Sequence, residues 1–257
     1  MRIIDISTPI DASQWEIDPV SHQILSAADG AQHMAEGMRT RYGIDFDTSM
    51  LPDGEMLTLD TLTLTTHTGT HVDAPSHYGS RTTYGTGVPR TIDELPLDWF
   101  VGPGLVLDAS DRPVGRVDAT WAYGEFSRLG REPSPGDIVL VRTGADARVG
   151  TPSYFEQFVG LDDTAVDLLL DFGVRVIGTD AFSLDAPFGY MLREFERTGD
   201  PGGLWPAHFV GRRREYCQIE RLGQLDTLPA HGFTVQCFPV KIAGAGAGWT
   251  RAVALLQ

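Results

Sequence analysis

Apolar residues recur along this chain with two different periods. Runs rich in Val, Ile, Leu and Thr, bounded by Gly, Pro or Asp, predict β-strands. They fall at Ile3–Ile6, Leu57–Thr65, Gly104–Asp108, Asp137–Arg142, Arg175–Thr179, Thr234–Ile242 and Arg251–Leu256. Leu57, Leu62 and Leu64 alternate partly with Thr and Asp, the pattern of a half-buried strand. Asp118–Leu129 reads instead as a helix: it opens on an acidic cap and offers Trp121, Phe126 and Leu129 as an apolar stripe. Asp162–Phe172 reads likewise, with Val166, Leu169 and Leu170 on one face and Gly173 as its stop. Helix followed by strand over Asp162–Thr179 is an α/β unit, and the strand-rich remainder predicts a mixed sheet.

Two segments lack either period and read as loops or lids. Residues 30–55 carry Met34, Met38, Tyr42 and Phe46 among polar neighbours, and residues 189–206 carry Tyr190, Met191, Phe195 and Trp205. Apolar side chains in connections of that length are expected to bury on the core or over a pocket. The expectation is one domain over residues 1–257 with insertions at about 30–55 and 189–206.

Composition narrows the function classes. A hydrophobic fraction of 42% and a charged fraction of 21% are those of a globular protein. The net charge of −15 argues against a nucleic-acid or anionic-membrane surface, since phosphate contacts need clustered cations. The one basic run, Arg212-Arg213-Arg214, reads as a solvated turn. The opening MRIIDISTPI carries Asp5 and Pro9 where a signal peptide needs an unbroken apolar stretch, so a cytoplasmic location is expected. Lys241 is the sole lysine, which leaves little room for Schiff-base chemistry. Cys217 and Cys237 form no CxxC pair.

The stretch from His67 to His77, HTGTHVDAPSH, changes the picture. It holds three of the seven histidines and an aspartate on a chain punctuated by Gly69 and Pro75. β-Branched residues disfavour a helix here, and an extended chain would hold His67 and His71 about 13 Å apart. Two nitrogens on one zinc lie only about 3.3 Å apart, so shared ligation demands a sharp turn, which Gly69 permits. Asp73, two residues after His71, faces the same side of a short extended piece. Two imidazoles and a carboxylate leave coordination positions open, as a catalytic metal set does. His208 and Glu220 flank the arginine run twelve residues apart, and reach one ion only if the chain turns between them, at Gly211 for example.

HTGTHVDAPSHY resembles the HxGTHxDxPxH signature of the metal-dependent cyclase/hydrolase family that includes bacterial kynurenine formamidase and isatin hydrolase. The resemblance extends through IIDISTPI, GDIVLVRTG, VIGTDAFSLD, IERLGQLDTLP and PVKIAGAGAGWTRAVALL. It implies a single α/β domain with a mixed, barrel-like β core in a swivelling β/β/α arrangement, usually dimeric. It implies metal ligation by His67, His71, Asp73, His208 and Glu220, with His77 as the acid/base. The ion it implies is divalent: zinc, with manganese and iron as the other candidates. The long segments, together with SHYGSRTTYGTGVPRTIDELPLDWF, resemble the ring-closing cyclases of aromatic polyketide pathways.

The leading expectation is therefore an intramolecular aldol-type ring closure with loss of water on an aromatic polyketide intermediate. Tyr78, Trp205 and Arg251 are candidate substrate contacts. The alternative keeps the same centre for amide hydrolysis of the arylformamidase type. A third reading, a non-catalytic metal- or ligand-binding protein, leaves His77 without a purpose. GAGAG at Gly244–Gly248 reads as a tight turn, because strand-like TRAVALL rather than a phosphate-binding helix follows it.

Overall fold

The computed structural model describes residues 1–256. In chain order the regular elements begin with β1 (Arg2–Asp5), β2 (Ser21–Leu25), α1 (Ala27–Tyr42), β3 (Leu59–Thr63) and β4 (His71–Asp73). Next come β5 (Val101–Asp108), β6 (Gly115–Val117), α2 (Ala119–Leu129), β7 (Ile138–Arg142), α3 (Pro152–Glu156), β8 (Val159–Leu161) and α4 (Asp163–Asp171). The chain ends with β9 (Val176–Thr179), α5 (Phe188–Thr198), α6 (Pro206–Val210), β10 (Cys217–Glu220), β11 (His231–Gln236), β12 (Ala247–Trp249) and β13 (Val253–Leu256). Two compact units form. The larger holds Met1–Ile10, Gln14–Ile17 and the chain from Thr66 onward; the smaller holds Asp11–Ser13 and Asp18–Thr65.

The larger unit is the expected mixed α/β fold, built on nine strands in the order β1-β13-β11-β5-β7-β9-β10-β4-β12. Its centre, β5-β7-β9-β10, is parallel and the flanks are antiparallel. Parallel strands buried on both faces need continuous apolar sequence, and Ile138–Val141 supplies it. The two-residue period divides these side chains between two cores. Leu105, Leu107, Val139, Val141 and Ile177 pack with Trp121, Phe126, Val166 and Leu169 of α2 and α4. Val106, Ile138, Leu140 and Val176 pack on the other face with Ile4, Ile6, Val72, Phe100 and Ile219. α2 and α4 begin at Asp118 and Asp162, whose carboxylates accept from Trp121 N and Ala165 N at 3.0 Å each.

The smaller unit overturns the loop reading of residues 30–55. α1 forms there because Ser26 Oγ accepts from Asp29 N at 3.2 Å, and Gly43, at φ 68°, closes the helix onto Arg39 O. β2 and β3 make an antiparallel pair. The strand expected over Leu57–Thr65 forms as β3, but every residue of it is exposed, Leu62 by 48% and Leu57 just before it by 75%, so the expected half-burial is absent. Residues 189–206 are also more regular than expected: Pro187 and the left-handed Gly199 bracket α5. The strand expected over Thr234–Ile242 stops at Gln236; Pro239, beyond it, has no N–H to donate to a ladder.

The arginine run is not simply solvated. Arg213 pairs with Asp163 and Asp167, and Arg214 with Asp167 and Asp171, one turn apart along α4. Arg212 Nε donates to Tyr78 O at 2.6 Å. The acidic face of α4 supplies counter-charges that a sequence window around the run does not contain.

Candidate metal centre

β4 carries His71 and Asp73 on one face, while Val72 between them is fully buried in the core. The neighbouring register sets Glu220 directly opposite His71 and Gln218 opposite Asp73. Opposed residues of an antiparallel pair share a face, and His71 Nε2 stands 3.6 Å from Glu220 Oε2. Gly69, at φ 68°, makes the expected turn. It brings His67 Nδ1 to 3.2 Å from His71 Nε2 and 3.0 Å from Asp73 Oδ1. His71 Nε2 is 3.3 Å from the same oxygen.

His208 arrives on α6, with Nε2 3.8 Å from Asp73 Oδ2 and 3.7 Å from Glu220 Oε1. His77 sits on the single helical turn Pro75–Tyr78. Its ring centre is 4.3 Å from that of His67 and 5.4 Å from that of His208, so the ring is packed among imidazoles although the residue keeps an exposed edge. The six residues singled out as ligands and acid/base thus converge.

The ring nitrogens are oriented for donation to one point. His71 Nδ1 is 2.9 Å from Gly69 O, and His208 Nδ1 is 2.5 Å from Asp185 Oδ2. Each contact fixes Nδ1 as the donor, so Nε2 is the nitrogen that faces the carboxylates and would give its lone pair to an ion on losing its proton. Asp185 is fully buried and also accepts from Ala207 N at 2.7 Å and His208 N at 3.0 Å. Glu220 Oε1 accepts from Leu184 N at 2.9 Å and Ser183 Oγ at 3.2 Å.

Charge is crowded here. Burial works against ionisation of Asp73, yet the surrounding imidazoles hold its carboxyl well below the usual range. Burial and the charge of Asp73 push Glu220 up. Burial opposes protonation of His208, but Asp185, Glu220 and Asp73 prevail and raise it to about 9. Burial pushes His77 down to about 4; the attraction of Asp73 is outweighed further by His208, His67 and His71.

The donor set fits a divalent cation. Both carboxylate oxygens of Asp73 are buried and accept no well-formed hydrogen bond, a costly arrangement for a charged group unless a cation faces it. Two overlapping triads, His67/Asp73/His77 and His71/Asp73/Glu220, each gather their ligand atoms within 4.8 Å. Mixed nitrogen and oxygen donors suit zinc, manganese or iron.

The candidate substrate contacts separate. Trp205, at φ 50°, stacks on Phe188 with ring centres 5.3 Å apart and begins the helix that carries His208. Tyr78 is only 2% exposed and its hydroxyl is buried, so it does not face a substrate as expected. It stacks on Tyr216 at 5.3 Å and supports His208 at 5.6 Å. Arg251 pairs with Asp5 at 2.6 Å, beside a cavity of about 600 Å³ also lined by Thr8, Thr70 and Trp249. Asp185 and Arg221, which brace the site, were missed. Asp185 lies in the family-like VIGTDAFSLD stretch, but nothing in its own neighbourhood marks it.

The fold is that of a known group of proteins. Residues 4–186 match the family described as putative cyclase, and the chain belongs to that family. The kynurenine formamidase of Salinibacter ruber is 30% identical over 208 residues, spanning 78% of this chain and 81% of the relative. The isatin hydrolase of Roseibium aggregatum is 28% identical over 230 residues, 79% of this chain and 77% of the relative. Among solved structures, isatin hydrolase A from Ralstonia solanacearum superposes with a TM-score of 0.75 at 22% identity, covering 100% of this chain and 92% of that one. These relatives are named as a formamidase and a hydrolase, and they overturn the expectation of an aromatic polyketide ring closure. That expectation leaned on two large lids, and much of both segments is regular helix instead. No helix among the described residues is long and apolar enough to cross a membrane.

Proposed function

We propose that this protein is a divalent-metal-dependent amidohydrolase that cleaves an amide attached to an aromatic ring, of the arylformamidase type. The observation that carries the reading is the convergence of His67, His71, His208 and Glu220 around the fully buried carboxylate of Asp73, with His77 beside them. The similarity to a kynurenine formamidase and an isatin hydrolase, both small-molecule hydrolases by name, supports it.

A divalent cation held there supplies Lewis acidity, which polarises a carbonyl and makes water more acidic. His77 does the proton work. Held down near 4, its imidazole is neutral at pH 7 and accepts a proton from the attacking water. It then gives that proton to the nitrogen that leaves as the C–N bond breaks. Asp185 orients His208, and Tyr78 packs beneath the imidazoles so that His77 cannot sink among them. Phe188 and Trp205, stacked beside the helix that carries His208, offer a flat apolar wall for an aromatic ring. Zinc is the proposed ion. A homodimer is the proposed working form, supported by the exposure of Ile24, Leu59 and Leu62 on the paired strands β2 and β3.

The test is formate release from an N-formylated arylamine by metal-loaded protein. His77→Ala is expected to abolish release while metal content stays at the wild-type level. Metal-loaded wild type that releases no formate, and opens no cyclic aryl amide, refutes the reading; loss of metal from His77→Ala refutes the role given to His77.

A further inference from the structure

The cation nearest the metal ligands in the chain is Arg221, which follows Glu220 directly. Its backbone sits at φ 64°, a left-handed conformation that a residue with a Cβ adopts only when its surroundings impose it. The side chain is 4% exposed. One arm of the guanidinium, Nη1, donates to His67 O at 3.2 Å. The other arm pairs with Glu16, and the group lies over the rings of Phe182 and Tyr154 at 5.1 and 5.7 Å.

The backbone of the same residue holds a second strand of the network. Arg221 N donates to Ala181 O at 3.0 Å. Arg221 O accepts from Thr70 Oγ1 at 2.5 Å and from Thr8 Oγ1 at 3.0 Å, while Thr70 Oγ1 accepts from Thr8 N at 2.8 Å. Thr70 immediately precedes His71, and His67 lies before the ladder of β4, which begins at His71. Arg221 therefore ties the loop that carries two imidazoles to the strand that carries Glu220, by side chain at one end and by carbonyl at the other.

We infer that Arg221 is a positioning residue of the metal centre: its guanidinium, anchored on Glu16, fixes where the His67 imidazole stands against Asp73, and so sets metal affinity and coordination geometry. This rests on the reading of these residues as a metal centre and not on the amide chemistry. Removing a group that orients a ligand from behind typically lowers affinity 10- to 100-fold.

The probe is Co²⁺, read by competition with a chromophoric chelator and by the visible absorption of the bound ion. Arg221→Asn keeps a residue that tolerates the left-handed backbone and deletes the guanidinium. Combining it with Glu16→Gln avoids leaving a buried, unpaired acid. The double variant is expected to retain the wild-type circular dichroism, bind Co²⁺ about 10- to 100-fold more weakly and show a changed visible band. Arg221→Lys, which keeps the charge, is expected to recover part of the affinity. A double variant with affinity within about twofold of wild type and an unchanged band, while His71→Ala loses binding, overturns the inference and leaves the metal centre standing. If His71→Ala binds Co²⁺ as wild type does, the metal-centre reading itself falls and this inference with it. Should the double variant fail to fold, Arg221→Lys alone, which keeps the charge but loses the two-armed reach to His67 O and Glu16, is expected to bind Co²⁺ more weakly than wild type. Unchanged affinity there overturns the inference.

Discussion

Gly211→Ala separates two physical effects by sign. Gly211 ends α6 at φ −60° and ψ −14°, ordinary helical backbone that alanine adopts without strain. Considered alone, that backbone predicts stabilisation of about 0.4–1 kcal/mol, because alanine loses less chain entropy on folding. Packing predicts the opposite. A Cβ on residue 211 meets Tyr78 Cδ2 at 1.9 Å, about 1.6 Å inside a normal carbon–carbon contact. The ring cannot swing aside, since it is 2% exposed and stacked against Tyr216. Overpacking of this kind costs about 1–3 kcal/mol and occasionally more, enough to outweigh the backbone gain. At about 2–4 °C per kcal/mol for a chain of this size, a fall in Tm of several degrees is expected. The assay is urea denaturation of the metal-free protein, with Tyr78→Ala and the double variant completing a cycle. The clash disappears with the ring, so the double variant should be more stable than the two single costs added together predict. A Gly211→Ala protein as stable as wild type, or more so, refutes the packing argument.

Two further outcomes follow from the buried carboxylates. Asp185→Ala removes the acceptors of all three donors, so His208 loses its fixed orientation. Metal affinity measured by competition titration is expected to fall about 10- to 100-fold, and unchanged affinity refutes the tether. Asp180 is pushed up to about 6 by burial, despite accepting from Thr143 N, Thr143 Oγ1 and Gly144 N. The folded state therefore holds its proton more tightly than the unfolded chain does. Stability from this group is present at low pH and is lost as pH rises through about 4 to 6, by on the order of 3 kcal/mol. Urea denaturation should show wild type falling relative to Asp180→Asn across that window, and parallel curves refute the assignment.

The chemistry was easier to read from sequence than the architecture that holds it. Gly69, His71 and Asp73 lie within five residues, so a permitted turn and a shared face were legible locally, and shared ligation required the turn to be made. β4 and β10 have only three and four residues, too short for a period to show, although they align His71 with Glu220. α1 was obscured because Gly30, Gly37 and scattered polar residues blur its stripe. The cap residues Ser26 and Gly43 were the better signal. Arg221 gives no local sign at all: a left-handed arginine is imposed by Thr8, Thr70, His67 and Glu16, which come together only in the folded protein.

The place of β4 in the sheet has a consequence for biosynthesis. Its neighbours are residues 217–220 on one side and 247–249 on the other, so a chain still emerging from the ribosome holds His71 and Asp73 early but lacks the strands that flank them. Completion of the ion-binding nest must wait until residues 247–249 have left the ribosome, and a chain cut short before Ala247 lacks one of the strands beside β4 while keeping every ligand in the polypeptide.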